Sequence, residues 1–147
     1  MNVVELINLI IDKDDKKAYK QVKKIIEESK ISDAYYKYLD DFASLLLDEK
    51  SYIRTRAFIL CCYQTKWDEN RKIETILPEM LKLFHDEKPT VVRQCLKNIK
   101  EILRHKPNLS TRIEEELNKI DLTKYSDSMK PLIQKDIDEL LELIVHK

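Results

Sequence analysis

Four basic residues spaced for one helical face are the strongest candidate for binding chemistry in this chain. They recur at intervals of i, i+4, i+7 and i+11, and they are Arg93, Lys97, Lys100 and Arg104. Residues 88–106 contain six Lys or Arg and only one acidic residue, Glu101. Because residues at these intervals share one side of an α-helix, the stripe can follow phosphate groups or meet an acidic protein surface.

The basic stripe is confined to one stretch of the chain, which limits what it can bind. The positions 38 residues earlier carry a single basic residue, and they are Thr55, Ile59, Cys62 and Lys66. Two interpretations stay open: a solvated helix face, which most charged runs are, and a patch that binds a partner. We keep partner binding as the functional hypothesis for these positions.

Residue types suited to catalysis are present but form no recognisable constellation. Trp67 and Asp68 pair an aromatic ring with a carboxylate, yet Asp68 also stands where a helix N-cap is expected, so a packing role is favoured. The histidines are isolated, without the helical spacing of a metal site, and they are His85, His105 and His146. We therefore predict that the chain is not an enzyme and holds neither a cofactor nor a metal.

The absence of glycine restricts the fold class. Average usage of about 7% would give roughly ten glycines in a chain of 147 residues. Tight β-hairpins need positive φ at their central residues, and phosphate-binding loops need glycine at fixed positions. An all-α chain is therefore predicted. Its charge balance, 27 Lys or Arg against 27 Asp or Glu, disfavours a dedicated nucleic-acid binder, which would usually be plainly basic.

The cysteines and the apolar segments indicate the cellular compartment of the protein. The three cysteines, Cys61, Cys62 and Cys95, are an odd number without Cys-x-x-Cys spacing, which is typical of a reducing compartment. The N-terminal segment has no basic region ahead of an apolar stretch. The longest apolar run, residues 57–63, is far too short to span a bilayer. We predict a cytoplasmic protein that does not contact membranes.

Helical periodicity divides the chain into four predicted helix pairs within a single domain. The approximate pairs are residues 3–29, 34–66, 71–105 and 109–145. In the first pair, Tyr19 is counted with the buried face. In the second pair, the first helix is expected to run from 34 to about 47, with Tyr36 as its exposed ring beside buried Tyr35 and Tyr38. In the third pair, Pro78 lies inside one helix and Pro89 in the first turn of the next, where proline costs little.

The third pair carries a distinctive pattern: a proline-bent first helix with leucines, an aspartate at the turn, then valine and arginine followed by a small residue. Its residues are Leu77-Pro78, Leu81, Leu83, Asp86, Val92-Arg93 and Cys95. The second pair shows the pattern with Asp40 in place of the proline, and its matching residues are Leu45, Asp48, Ile53-Arg54 and Ala57. This pattern resembles the HEAT-repeat (armadillo-like) family of α-solenoids.

The resemblance implies a right-handed α-α superhelix of about four helix pairs, in which the second helices form a concave face that contacts another macromolecule. The chain is also similar to the short stand-alone HEAT-like proteins of low-GC bacteria, which its Lys, Ile and Asn bias suits. Arg54 occupies the same valine–arginine step as Arg93. Arg54 therefore joins the four residues of the basic stripe as a candidate partner-binding residue.

The resemblance favours a non-catalytic protein–protein interaction scaffold whose partner is another protein. The alternative is a nucleic-acid-binding HEAT-like protein related to alkylated-base DNA glycosylases, without an identifiable catalytic site. Those glycosylases use several tryptophans, whereas Trp67 is the single tryptophan here, so no catalytic residue is carried over. The alternative predicts affinity that falls steeply with salt, because phosphate contacts release counterions.

Overall fold

The computed structural model describes residues 1–145, and every regular element in that range is helical. The α-helices are α1 (Val3–Ile10), α2 (Asp15–Ser29), α3 (Leu39–Ala43), α4 (Ser51–Cys62), α5 (Lys72–Lys82), α6 (Pro89–Asn98), α7 (Lys100–His105), α8 (Ser110–Leu117) and α9 (Lys130–Val145). Short 3₁₀ turns lie at Tyr36–Tyr38, Thr65–Trp67, Leu83–His85, Pro107–Leu109 and Leu122–Lys124. The all-α prediction is confirmed. His146 lies outside the described residues.

The second helices of the four predicted pairs form one continuous layer. Helix α2 contacts α4, α4 contacts α6, and α6 contacts α9. The first helices α1, α3 and α8 each pack on the second helix of their own pair. Helix α5 reaches α6 through the 3₁₀ turn Leu83–His85. Each second helix is thus held by its own first helix and by its neighbours in the layer.

A single apolar core runs through this arrangement from α1 to α9. The three phenylalanines, Phe42, Phe58 and Phe84, are fully buried in it and come from three different segments of the chain. Burying a side chain of this size contributes about 1.5–3 kcal/mol relative to leaving it exposed. Within the described range, no helix is both long enough and apolar enough to cross a membrane.

The first helix of the second pair is shorter than the periodicity predicts. Instead of running from 34 to about 47, the segment forms the 3₁₀ turn Tyr36–Tyr38, the five-residue α3 and further turns with i→i+3 hydrogen bonds at Leu45 and Leu46. Aromatic residues have only moderate helix propensity. In addition, the Tyr36 hydroxyl is drawn into a hydrogen bond with Asp68, 32 residues away. A tertiary contact therefore competes with the regular helix here.

One residue interrupts the helix that carries the basic stripe. Ile99 is fully buried and separates α6 from α7, and the N–H of Ile102 bonds to its carbonyl in the tighter i→i+3 pattern. Lys97 therefore lies on α6, whereas Lys100 and Arg104 lie on α7. Pro78 lies inside α5 and Pro89 in the first turn of α6, as the sequence indicates.

Arg71, immediately before α5, is strained in a way that the chain's lack of glycine explains. Its φ of 56° is the one positive φ among the described residues. The left-handed conformation costs a residue with a Cβ roughly 1–2 kcal/mol, and glycine adopts it freely. The Asp68 side chain, which caps α5 just beyond this residue, fixes the geometry of the turn.

Replacing Arg71 with glycine is expected to raise the free energy of unfolding by up to about 1 kcal/mol, because relief of the strain exceeds the extra unfolded-state entropy of glycine. Urea unfolding followed by the fluorescence of Trp67 measures the change. Arg71→Ala is the matched control, since it also removes the exposed ion pair with Glu74 but keeps the Cβ. Equal stabilities for the glycine and alanine variants would show that the backbone is not strained.

Candidate functional site

Arg54, predicted to bind a partner, is engaged in a contact between helix pairs. Its Nε and Nη2 donate to the two carboxylate oxygens of Asp86 at 2.9 and 3.0 Å, and Nη1 donates to the carbonyls of Asp48 and Glu49. The Asp86 side chain is 7% exposed. Arg54 therefore ties the turn of its own pair to the turn of the next pair.

Arg93 makes the corresponding link one pair further along. Its Nε donates to Oδ2 of Asp136 in α9 at 2.7 Å, and this hydrogen bond raises the pKa of the guanidinium. Both arginines of the repeated valine–arginine step thus connect neighbouring helix pairs. The local sequence does not reveal this role, because their acceptors lie 32 and 43 residues away.

The remaining stripe residues lie in different surroundings. Arg104 is exposed and donates to Glu101 within α7 at 2.7 Å. Lys100 is half-buried on the same helix. Lys97 is exposed on α6 and lines an open groove that is formed with α2 and α4. The structure therefore brings only Lys97, of the five predicted partner-binding residues, to this groove.

The groove crosses the layer of second helices and has a volume of about 920 Å³. Helix α4 forms its floor, because it lies between α2 and α6 and contacts both. The floor side chains are half-buried and carry no charge, and they are Tyr52, Thr55, Ile59 and Tyr63. On the opposite side of α4, Ala57, Leu60 and Cys61 are buried in the core. Helix α4 therefore presents apolar side chains both to the core and to the groove.

The two walls of the groove differ in chemistry. The α2 wall is basic and partly aromatic, and its residues include Lys16, Tyr19, Lys23, Ile26 and Lys30. The α6 wall is polar with one basic residue, and it includes Thr90, Gln94, Lys97 and Asn98. Tyr19, predicted to be buried, is instead 64% exposed on the α2 wall. The expectation is wrong because the core face of α2 consists of Ala18, Val22, Ile25 and Ser29, and Tyr19 lies beside that face, toward the groove.

Arg56 closes one end of the groove and was missed by sequence reasoning. It is 9% exposed, and its Nη1 donates to the carbonyls of Ile10 and Asp12 at 2.7 Å each. Its Nη2 donates to Asp15, and its guanidinium lies 4.9 Å from the ring centre of Tyr52. These contacts hold the α1–α2 connection against α4, next to the groove that Asp15 and Arg56 both line.

A second polar cluster lies away from the groove, around the predicted pair Trp67 and Asp68. The Asp68 side chain is completely buried and accepts from the backbone N–H groups of Lys72 and Ile73, which caps α5. It also accepts from the Tyr36 hydroxyl at 2.5 Å and pairs with Lys106 at 2.9 Å. Tyr36 is therefore half-buried and hydrogen-bonded, and the prediction of an exposed ring is wrong.

Trp67 joins the end of α2 to the following pair. Its Nε1 donates to the carbonyl of Ser29 at 2.7 Å, and the neighbouring Lys66 donates to the carbonyl of Lys30. Both acceptors are carbonyls at a helix C-terminus, which otherwise lack intrahelical partners. Trp67 and Asp68 thus terminate one helix and begin another, and the carboxylate is closed off from solvent.

Opposing effects set the ionisation of the cluster. Burial disfavours charge on Asp68, but hydrogen bonds from Tyr36, Lys106 and the backbone outweigh it and lower the pKa of this carboxyl. Burial likewise opposes charge on Lys106, and its hydrogen bonds to Glu74 and Asp68 raise its pKa. The pKa of Glu74 is lowered by the same lysine against its own burial. Burial and the bond to Asp68 raise the pKa of Tyr36 to about 12.

The stability of this cluster should depend on pH in a defined window. The carboxylates of Asp68 and Glu74, whose pKa values are lowered, stabilise the fold at any pH above their ordinary pKa values of 3.8 and 4.5. That contribution is lost as the pH falls through the lowered pKa values. Groups with raised pKa values, Lys106 and Tyr36, contribute fully below pH 10.0 and lose the contribution as pH rises.

We therefore expect the difference in unfolding free energy between the wild type and Lys106→Met to stay constant between pH 4.5 and 10.0 and to shrink on both sides. Urea titrations across this range measure it. Lys119→Met is the control, because its ion pair with Glu116 is long and exposed. A Lys106→Met difference that does not change with pH would contradict the assigned ionisation.

The histidines and cysteines within the described residues are occupied by structural contacts. His85 Nε2 lies 2.5 Å from Glu116, and His105 lies near Glu101, with its pKa lowered by burial. The three thiols are buried, and burial raises their pKa values. Over residues 1–145, no group of three or more His, Cys, Asp or Glu side chains is placed to hold a metal ion.

Comparisons with protein-family models, with curated proteins and with solved structures find no match to this chain. The candidate site is therefore defined by its own geometry: a groove with an apolar floor and lysines on its walls, built on three successive helices of the second-helix layer.

Proposed function

We propose that the chain is a non-catalytic protein-interaction scaffold, a HEAT-like superhelix of about four helix pairs that binds a partner protein across its second helices. The observation that carries this proposal is the groove on α2, α4 and α6. Its floor leaves Tyr52, Ile59 and Tyr63 only half-buried, in a helix whose opposite side is already in the core. Half-exposed apolar side chains that lie together in a groove rimmed by polar residues are typical of a protein-interaction site.

The arrangement of the layer supports the superhelical part of the proposal. Consecutive second helices contact each other in chain order, and Arg54 and Arg93 each link one pair to the next. A solenoid has this nearest-neighbour organisation, and its exposed layer offers an extended binding surface. The repeated turn aspartates and the valine–arginine steps resemble those of HEAT repeats.

The placement of reactive groups supports a non-catalytic role in a reducing compartment such as the cytoplasm. Asp68 caps a helix, and His85 and His105 are paired with glutamates. The three thiols are buried and unbridged. These six side chains are thus used for packing, capping or pairing.

Site-specific photo-cross-linking tests the proposal. A benzoylphenylalanine at Gln94, which is exposed on the α6 wall, is expected to give a discrete protease-sensitive adduct in native lysate. The same group at Lys82, exposed on α5 and outside the groove, is the control and is expected to give no adduct. Equal adducts from both positions would overturn the proposal, and a nuclease-sensitive adduct from Gln94 would support nucleic-acid binding in its place.

A further inference from the structure

Three of the four lysines that line the groove carry charge that no ion pair within the described residues neutralises. Lys16 and Lys23 on α2 and Lys97 on α6 are exposed and form no ion pair with any residue of the described range. The two acidic residues at the rim are already engaged: Asp15 pairs with Arg56, and Glu27 pairs with Lys30. The groove therefore keeps three unpaired positive charges, on both of its walls.

The apolar floor between these lysines is preorganised. The guanidinium of Arg56 and the ammonium of Lys50 lie 4.9 and 6.0 Å from the ring centre of Tyr52, which holds the ring at one end of the floor. Ile59 lies about two turns further along α4 and carries no polar atom on its side chain. A rigid aromatic ring and an aliphatic side chain on one line suit apolar residues of a helical ligand at i and i+7.

The dimensions fit one helix. Packed neighbouring helices lie about 8–10 Å apart, so the axes of α2 and α6, which flank α4, are at most about 20 Å apart. A helix with its side chains is about 10–12 Å wide, so one helix, but not two side by side, can lie over α4 between α2 and α6. The floor, α4, is 12 residues long. At a rise of 1.5 Å per residue this is about 18 Å, or roughly three turns of a bound helix.

We infer that the groove binds one acidic amphipathic helix of a partner protein, with apolar side chains against Tyr52 and Ile59 and carboxylates facing Lys16, Lys23 and Lys97. This inference rests on the proposed function and specifies the chemistry of the partner. A nucleic-acid strand suits the groove less well, because phosphates need a continuous basic track. The α6 wall offers Thr90, Gln94 and Asn98 around its single lysine, and the chain has no net charge.

Fluorescence anisotropy with a synthetic probe tests the inference. The probe is a fluorescein-labelled peptide of about four helical turns, with leucine and phenylalanine on one face and glutamate on the other. The first control peptide has the same composition as the probe in a scrambled order, which removes the apolar face. The second control peptide keeps the apolar face and has lysine in place of glutamate. A labelled oligothymidine represents nucleic acid. We expect the acidic amphipathic peptide to bind at least about tenfold more tightly than each control, a difference of about 1.4 kcal/mol.

Variants locate the binding. The double variant Lys23→Glu, Lys97→Glu reverses one charge on each wall and is expected to weaken binding of the acidic peptide at least about tenfold, mainly through repulsion of its carboxylates. The matched control is Lys37→Glu, Lys135→Glu, two exposed lysines outside the groove with the same total charge change. Its affinity is expected to stay within about twofold of the wild type, since distant exposed charges are screened by salt.

The outcomes separate the two proposals. An equal loss of affinity for the acidic peptide in both double variants would show that total charge, and not the groove, controls binding. This result would overturn the inference. Tighter binding of the scrambled peptide, the basic peptide or the oligothymidine would also overturn it. The acidic peptide could fail to bind while the cross-linker at Gln94 still gives a protein adduct and the cross-linker at Lys82 gives none. In that case the scaffold function stands and only the inferred chemistry of the partner is wrong. Circular dichroism of each variant confirms that the fold is retained.

Discussion

Replacing Arg54 with methionine is expected to lower the free energy of unfolding by about 3–5 kcal/mol. The substitution keeps most of the side chain's bulk but leaves the carboxylate of Asp86, 7% exposed, without its bidentate partner. It also removes the donor to the carbonyls of Asp48 and Glu49. Two consecutive helix pairs would lose their polar link, while an uncompensated charge would remain between them.

Arg104→Met is the matched control for this prediction. Arg104 belongs to the same predicted set of partner-binding residues and also pairs with a carboxylate, that of Glu101, but its side chain is 66% exposed. An exposed i,i+3 pair is worth about 0.5 kcal/mol or less, so the control should barely shift the urea midpoint. Equal destabilisation by the two substitutions would show that Arg54 is not a link between helix pairs.

The second large effect is expected for Asp68→Ala, which should lower the free energy of unfolding by about 3–5 kcal/mol. The change removes the side-chain acceptor for the first N–H groups of α5, worth about 1 kcal/mol alone, and deprives the Tyr36 hydroxyl of its acceptor. It also leaves the buried Lys106 with Glu74 as its remaining acidic partner. Unsatisfied buried donors carry their full desolvation cost, which is why one carboxylate has so large an effect.

Asp127→Ala provides the comparison for Asp68→Ala. Asp127 also pairs with a lysine, Lys130, but its side chain is fully exposed, so the change should stay within about 0.5 kcal/mol. Asp68→Asn should fall between the two, because an amide oxygen can still cap α5 but cannot neutralise Lys106. A fully stable Asp68→Ala variant would contradict the structural role of the carboxylate and would reopen a chemical role for it.

The elements of this fold could be predicted because their signals are local. The lack of glycine excludes several fold classes, and apolar residues at helical spacing mark out the helices. Pro89 lies in the first turn of α6, and Asp86 lies at the turn before it, where the repeated pattern places them. These features depend on neighbours within one helical turn, so a linear sequence contains the necessary information.

The candidate site was harder to predict because its parts come from separate segments. The acceptors of Arg56 lie 41 to 46 residues away, and the lysines of the groove come from two helices that do not follow one another in the chain. No local pattern encodes such pairings. One signal was available: α4 has no continuous polar face, and Ile59 and Tyr52 are left over once its core residues are assigned.

The basic stripe shows the limit of a periodicity argument. Helical spacing places Arg93, Lys97 and Arg104 on one face, but it does not reveal which of them has an acidic neighbour in another helix. Arg93 pairs with Asp136 and Arg104 pairs with Glu101. The interruption of the helix at Ile99 divides the predicted face between α6 and α7. Lys97 remains as the stripe residue that lines the groove.

Isoleucine-methyl NMR of the protein titrated with the acidic amphipathic peptide tests most directly whether the second-helix layer is the binding surface. We predict shifts at Ile26 and Ile59, which line the groove, and none at Ile76 on α5 or at Ile120 after α8, which lie outside it. Shifts at Ile76 or Ile120 without change at Ile26 and Ile59 would contradict the proposed surface, as would an unchanged spectrum at a peptide concentration that saturates the anisotropy signal.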